Sequence, residues 1–591
     1  FSKLFNIKMT GICITKNFIF FFNNIAKWKK RGIILSFGGN MKKNIFLVFF
    51  GILFITRAFS LQKSIKGPFE KGVNFSSWLE FKSADRIDPN YITKSDFENV
   101  KALGCDVVRL PIHFETMSSG APNYKIDPLL WETLDDVVKW AEELELYVIF
   151  DFHNNTANGT STSKNIEKVV TAVWKQVSER YATSSKYICY EIYNEPHGID
   201  KIKWGKVQEK VIAEIRKQDT SHWIIVGGAE WNSFDALKSL PNYKDDKIIY
   251  TFHFYDPFLF THQGASWTDL GRITGIPFPY QKEKMPSLPQ KATDAEKWYL
   301  SDTGYNYRQK GSVEAVSSFF DQYVKFSLQR NAPVYCGEFG VYMPYANKDE
   351  RTHWYKIVTD LLTEREIPHT SWDYFGSFGI FNREDGGLFP QDLNKELVKA
   401  MGLTIPEGHE MSWFENAAAG KDYTIYKNGF AKNLRTYFWG GEILLRKKEN
   451  DERVIEIDEM NPWSAITIQF NEILDFSALL ESGAKLELKI KSEEKNLKFS
   501  IWLQDAAVKT QYEWRASKDI TAESVPCDDN YHTITIPLKE LGDIGAYDGK
   551  SSKWISSQKA FDWTDISSLV ISNSDKKLQK KVYIKDIAII P

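Results

Sequence analysis

The sequence predicts an α/β fold, a (β/α)8 TIM barrel, followed by an all-β, jelly-roll-like sandwich. Between residues 66 and 415, short apolar runs alternate with amphipathic helical stretches, the pattern of parallel strands that each lead into a helix. From about residue 420 the period drops to two. Leu486, Leu488 and Ile490 alternate with Lys485, Glu487, Lys489 and Lys491, which reads as antiparallel strands with one buried face. No Pro/Thr/Ser-rich tether lies between the two patterns, so the sandwich at 420–591 is expected to dock on the barrel at 66–415.

Taken in order, residues 1–60 carry ten Lys or Arg and no Asp or Glu. Met41-Lys42-Lys43, the apolar run Ile45 to Ile55 and the small-residue end Ala58-Phe59-Ser60 have the three regions of a secretory signal, here placed at 41–60. A signal anchor is the competing reading. Residues 1–40, rich in Phe, Ile, Asn and Lys, read as untranslated leader or disordered chain. Without residues 1–60 the formal charge moves from −2 to −12, because that segment holds ten of the 75 basic residues and none of the 77 acidic ones. An acidic secreted chain of this kind excludes nucleic acid and anionic membrane as partners, and a monomer is expected.

Eight strands are expected at Gly72–Trp78, Asp106–Ile112, Tyr147–His153, Tyr187–Glu195, Trp223–Gly228, Ile248–Tyr255, Val334–Gly340 and Thr370–Phe375. Helical patterns lie between them, such as Trp131–Leu144 with Leu134, Val137, Val138 and Ala141 on one face. The longest loop, about 257–295, follows strand six, and loops of that length usually carry function. Cys105, Cys189 and Cys336 fall in or beside strands and read as small buried hydrophobes. With no metal-type Cys spacing and no His-Glu-x-x-His pair, neither a metal nor another cofactor is expected.

Chemistry concentrates at strand ends. Tyr190-Glu191-Ile192-Tyr193-Asn194-Glu195-Pro196 is a run of strand formers ending in an amide, a carboxylate and a proline that cannot continue the ladder. In a barrel that end is the catalytic face, so Glu195 reads as chemistry, or else as a capping or salt-bridged glutamate. Glu338 ends strand seven in the same way. Two carboxyls on one barrel face suit glycoside hydrolysis, one as acid and one as nucleophile or base. Arg109, His153, His253, Tyr255 and Trp372 lie near other strand ends, and His253 and Tyr255 share a side.

Val108-Arg109-Leu110-Pro111, Asp151-Phe152-His153-Asn154, Tyr193-Asn194-Glu195-Pro196, Phe252-His253-Phe254-Tyr255, Gly337-Glu338-Phe339-Gly340 and Ser371-Trp372-Asp373 follow one another on the predicted strands. In this the chain resembles glycoside hydrolase family 5, the cellulase family of clan A, over about residues 66–410. The resemblance implies Glu195 as acid/base, Glu338 as nucleophile and Asn194 on the sugar 2-hydroxyl. It further implies Tyr255 and Arg109 holding the nucleophile, His153 and His253 shaping the central subsite, and Trp372 as its stacking floor. Such chemistry needs a protonated acid, and the negative charge of Glu338 is expected to raise the pKa of Glu195.

The expected substrate is β-1,4-glucan, cut by a secreted bacterial endoglucanase, although the barrel serves several β-glycans through loop variation. β-Mannan, β-1,3-glucan and xyloglucan are alternatives, as is a catalytically silent carbohydrate-binding surface protein. His262, Trp267 and Trp231 are expected either to line subsites or to anchor loops. The sandwich resembles the carbohydrate-binding modules often joined to such hydrolases. Alternation in Phe499–Gln504 puts Trp502 on the polar face, and Tyr512 and Trp514 are candidates for the same platform, to be covered by glycan or by the barrel.

Overall fold

A computed structural model describes residues 61–153, 162–382, 387, 389–406, 423–431, 434–548, 551, 553–573 and 576–591. The expected leader (1–40) and signal (41–60) lie outside them, as does Asn154.

Eight parallel strands close a barrel in sequence order. They are β1 (Lys71–Asn74), β2 (Val107–Ile112), β3 (Tyr147–Phe152), β4 (Ile188–Glu191), β5 (Trp223–Gly227), β6 (Ile248–Phe254), β7 (Val334–Phe339) and β8 (His369–Ser371). All eight sit where the sequence predicts them, but β1 stops at Asn74 rather than Trp78, β4 at Glu191 rather than Glu195, and β8 at Ser371 rather than Phe375. Beyond Glu191 the chain keeps single bonds to both neighbours, Ile192 N–H to Ile225 O (3.0 Å) and Asn194 N–H to Phe152 O (3.1 Å). It therefore runs over the barrel mouth, carrying Asn194 and Glu195 with it. The helix after β2 spans Pro128–Leu144, with Asp127 accepting from the Leu129 N–H and proline at its first turn. It buries Leu130, Leu134, Val137 and Ala141.

The barrel interior is layered. Phe69, Val107, Ile149, Cys189, Ile225, Ile249 and Tyr335 form an apolar floor. Two residues further along β2, β3 and β4 come Arg109, Asp151 and Glu191, each fully buried. Sealed from water, these charges must satisfy one another. β6 and β7 pair with a slip, Phe252 opposite Cys336 but His253 opposite Glu338. Strict alternation would send Glu338 outward with Val334 and Cys336, which pack into the helical shell. Gly337 takes up the extra residue, and Glu338 turns inward.

The second part has its own core. Its strands are β9 (Tyr423–Tyr426), β10 (Leu434–Glu449), β11 (Glu452–Leu474), β12 (Lys485–Ser492), β13 (Lys498–Asp505), β14 (Trp514–Thr521), β15 (His532–Pro537), β16 (Gly542–Asp548), β17 (Lys553–Ser556), β18 (Ile566–Asn573) and β19 (Val582–Ile590). One antiparallel hydrogen-bonded path joins them, β15-β12-β19-β11-β18-β13-β14-β16-β17, with β10 on β11 and β9 on β19. The 23-residue β11 pairs β19 around Ile455–Ile457 and β18 around Ala465–Gln469, so a single strand serves both layers. Leu486, Leu488 and Ile490 from one layer meet Phe499, Ile501 and Leu503 from the other.

The free edge of β10 is seated on the barrel. Arg435 donates to Asp96 (2.7 Å), Asn90 to the carbonyls of Ala431 and Leu434 (both 2.8 Å), and Arg446 to Leu129 O (2.9 Å). Thr436 bonds Asp88, and the Phe81 and Phe438 rings stack at 6.3 Å.

Candidate active site

The ionic layer below the barrel mouth organises the site. Arg109 donates to Glu191 from Nε (2.7 Å) and Nη2 (3.0 Å), to Glu338 from Nη1 (2.8 Å), and to Asn74 (3.0 Å) and Asn194 (2.8 Å), with Asp151 at 3.0 Å. One guanidinium thus serves three carboxylates, and its planar fork lets it do so where a lysine ammonium would not. Burial outweighs even this pairing at Glu191, whose carboxyl is pushed up to about 7.

Glu338 is gripped from both sides, by Arg109 on Oε1 and by the Tyr255 hydroxyl, which donates to Oε2 at 2.9 Å. Glu195, more open than Glu338 (side-chain exposure 27% against 7%), meets His253 Nδ1 at 2.6 Å, and the same nitrogen lies 3.4 Å from Glu338. Ligand atoms of Glu195, His253 and Glu338 lie within 4.8 Å of one another. Among the described residues this trio alone has a geometry that could surround a metal ion. Its donors, however, are already engaged by one another, by Arg109 and by Tyr255.

The expected rise in the pKa of Glu195 is not what this geometry gives. Burial pushes the carboxyl up, but the charge and hydrogen bond of His253 outweigh it, and Glu195 is held below the ordinary glutamate value. His253 moves the opposite way: burial opposes its charge, and Glu338 and Glu195 together override burial. The two shifts share one cause, the short hydrogen bond between His253 and Glu195, which favours the charged form of each.

His153 stacks on Trp372 (5.7 Å between ring centroids, 14° between planes), and its Nδ1 meets Asp151 at 2.7 Å. Burial opposes its charge, but Asp151 raises its pKa to about 9. Thus Glu195, Glu338, Arg109, His153, Asn194, His253, Tyr255 and Trp372 converge as the sequence suggested. The loop residues divide. Trp267 and Trp231 are exposed at 60% and 57%, Trp231 lying flat on His197 at 4.8 Å. His262 is buried, stacked on Phe258 (4.1 Å) and set against Tyr255 (5.0 Å), and burial lowers its pKa to about 3. It anchors the loop behind Tyr255 and does not line a subsite.

Sequence reasoning missed several supports. Asn74 bridges the Gly337 and Ser371 carbonyls, and Asn232 donates to Asn194 O. Glu230, Trp231 and Asn232 all have positive φ, a conformation costly for side-chain-bearing residues and invisible to periodicity. Glu80, in the loop after β1, lies 3.8 Å from His153. A glutamate inside the apolar strand at Glu191 was the one legible signal among these.

Residues 70–377 match the cellulase family, glycosyl hydrolase family 5. The chain belongs to this family. Residues 409–591 match carbohydrate binding domain 30, so the family 5 domain carries a C-terminal carbohydrate-binding domain. Endoglucanase 3 of Fibrobacter succinogenes is 31% identical over 373 residues, covering 59% of this chain and 55% of that protein. The chain thus spans about half the length of that relative. Endoglucanase C of Acetivibrio thermocellus is 29% identical over 350 residues, covering 56% of this chain and 98% of that one. Among solved structures, an endoglucanase of Thermotoga maritima aligns at 26% identity with a TM-score of 0.47, covering 56% of this chain and 96% of that one.

In the carbohydrate-binding domain the expected platform of Trp502, Tyr512 and Trp514 does not form. Trp502 does lie on the face opposite the core, but it is only 9% exposed. Ala465 and Val570 pack beside it and the Arg515 guanidinium lies 4.9 Å above its ring, so its own sheet covers it, neither glycan nor barrel. Trp514 is buried and points to the other face with Ala516, and Tyr512 meets it edge-on at 6.3 Å. The exposed rings of the outer face are instead Trp439, Tyr547 and Trp554. Trp439 stands opposite Ala465, and Trp554 opposite Tyr547 and under Arg515 at 5.6 Å.

Proposed function

We propose that the protein is a secreted, retaining endo-β-1,4-glucanase that works by double displacement. The observation that carries this reading is the pair of carboxylates at the C-terminal end of the barrel, with oxygens within 4.8 Å. Retaining glycosidases hold their carboxyls about 5–5.5 Å apart, whereas inverting ones leave about 6.5–9.5 Å for a water. Glu338, oriented by Arg109 and Tyr255, attacks the anomeric carbon. Glu195 delivers a proton to the departing glycosidic oxygen, the proton passing from His253 along the 2.6 Å hydrogen bond. Glu195 then takes a proton from the water that releases the glycosyl-enzyme. Asn194, fixed by Arg109 and by Asn232, faces the sugar beside the nucleophile. The cellulase family and the endoglucanase names of the relatives support β-1,4-glucan as substrate. The pattern at 41–60 supports secretion, and the carbohydrate-binding domain supports a polysaccharide partner.

Reducing-sugar release from soluble cellulose, mannan, laminarin and xyloglucan tests the substrate, and no release from the cellulose derivative overturns it. Glu195→Gln separates acid from nucleophile: turnover of glucan falls about 10²–10⁴-fold, while aryl glycosides whose leaving group needs no proton are far less affected in the first step. Equal losses on both count against the acid role. Trp267→Ala raises KM several-fold with an unchanged melting temperature, because its ring is exposed beside Tyr342 at 4.8 Å and supports little packing. A lowered melting temperature with unaltered kinetics would make it an anchor.

A further inference from the structure

The cleft has a direction. In the closed barrel the loops after β4 and β5 face those after β8 and β1 across the mouth. Glu195 and the His197–Trp231 stack lie on the first side, from which the leaving group departs. Trp372 and Glu80 lie on the second, with His153 from the end of β3 reaching both, and that side is therefore the glycone side. Phe81 follows Glu80 directly, and its partner outside the barrel is Phe438 of β10. The next residue on β10 is Trp439.

The strand is fixed at this point. Arg86 and Lys82, from the loop that carries Glu80 and Phe81, both pair with Glu442, and Arg86 also reaches Gly441 O. Between the pairs Trp439/Ala465 and Gly441/Met460 the ribbon bulges, with one residue on β10 set against four on β11. Gly440 has φ +76°, and a Cβ there would lie 2.0 Å from Ser464 Oγ, so the two strands approach too closely for a side chain. The bulge throws out Asn461-Pro462-Trp463, while Ser464 stays buried and donates to Gly440 O, and it leaves Trp439 and Trp463 at one level of the ribbon, 55% and 65% exposed. Two exposed indoles at such a level, on a strand bolted to the catalytic loop, are costly in water unless a ligand covers them.

We propose that the glycone half of the catalytic cleft continues off the barrel onto the second domain, with Trp439 and Trp463 as a distal glucosyl-stacking subsite. The occupant is the non-reducing part of the same β-1,4-glucan chain whose scissile bond lies between Glu195 and Glu338; the inference rests on the glucanase reading above. The domain then acts as part of the active site, beyond tethering the enzyme to polymer. The platform selects for chain length, because only a glucan extending several units past the central subsite reaches β10.

The test uses the full chain and soluble substrates, on which tethering to solid polymer plays no part. For the wild type, kcat/KM on cellohexaose divided by that on an aryl cellobioside, which is too short to reach β10, is expected to be high. Trp439→Ala/Trp463→Ala lowers this ratio about tenfold, the scale of losing one good ring stack. It also moves the cleavage site of reducing-end-labelled cellohexaose. Trp439→Phe, which keeps a ring, recovers part of the ratio. A double variant whose ratio and cleavage site match the wild type overturns the inference, even if its overall activity falls through misfolding, because the ratio does not depend on the folded fraction. A wild type that cleaves no cello-oligosaccharide overturns the glucanase reading itself, and that outcome is distinct from an active wild type with an indifferent variant.

Discussion

Replacing Glu338 with Gln lowers kcat on glucan by at least about 10⁴-fold, the scale seen when a nucleophile is lost while binding is kept. The substitution leaves the shape of the site in place. The amide oxygen can still accept from Arg109 Nη1, and the NH2 that replaces the other oxygen can donate to the Tyr255 hydroxyl, at the positions where the carboxylate is held at 2.8 and 2.9 Å, so the melting temperature should change little. What is lost is the charge of the proposed nucleophile. The decisive companion measurement is the anomeric configuration of the first product released by the wild type, followed by NMR. Retention is expected from carboxylate oxygens within 4.8 Å, and inversion would remove Glu338 from the nucleophile role whatever the variant does.

Arg109→Met damages both stability and activity. Removing one partner of a buried ion pair costs about 3–5 kcal/mol, because the other charges stay buried without a counterion. Here Asp151, Glu191 and Glu338 would all be left. The melting temperature should drop by several degrees, and kcat should fall as Glu338 and Asn194 lose their shared donor. The pH dependence has a definite sign. Glu191 already has a folded-state pKa of about 7, above its unfolded value, so it opposes folding once ionised, and without Arg109 it rises further. The deficit of the variant should therefore be largest above pH 7 and shrink as the pH falls and the carboxyls take up protons. A deficit that grows towards low pH would show that the ionic layer is not the cause.

Much of this was legible in the sequence because barrels and catalytic strand ends leave local marks. The alternation of apolar runs with amphipathic helices located all eight strands, since each unit must bury its strand on both faces and its helix on one. Motif spacing found the residues that converge at the barrel mouth. The supports were less visible. Asn74, Glu80 and Asn232 act through long-range contacts, and no periodicity announces a contact between residues far apart in the chain.

Sequence by itself determined which residues are available: two glutamates, an arginine, two histidines, a tyrosine and a tryptophan at the right ends of the right strands. Tertiary structure decided where they point and what they carry. Glu338 faces into the barrel beside Arg109 because β7 slips one residue against β6 at Gly337, where a Cβ would come within 2.9 Å of Thr251 Oγ1, and a slip of register belongs to a pair of strands and not to either alone. Glu195 is held below the ordinary glutamate value because His253, 58 residues away, comes within 2.6 Å of it. Trp502, which alternation correctly put on the outer face, is sealed by Arg515 from the adjacent strand. Alternation assigns a side chain to a face of the sheet, but whether that face meets water is set by the neighbours that folding brings over it.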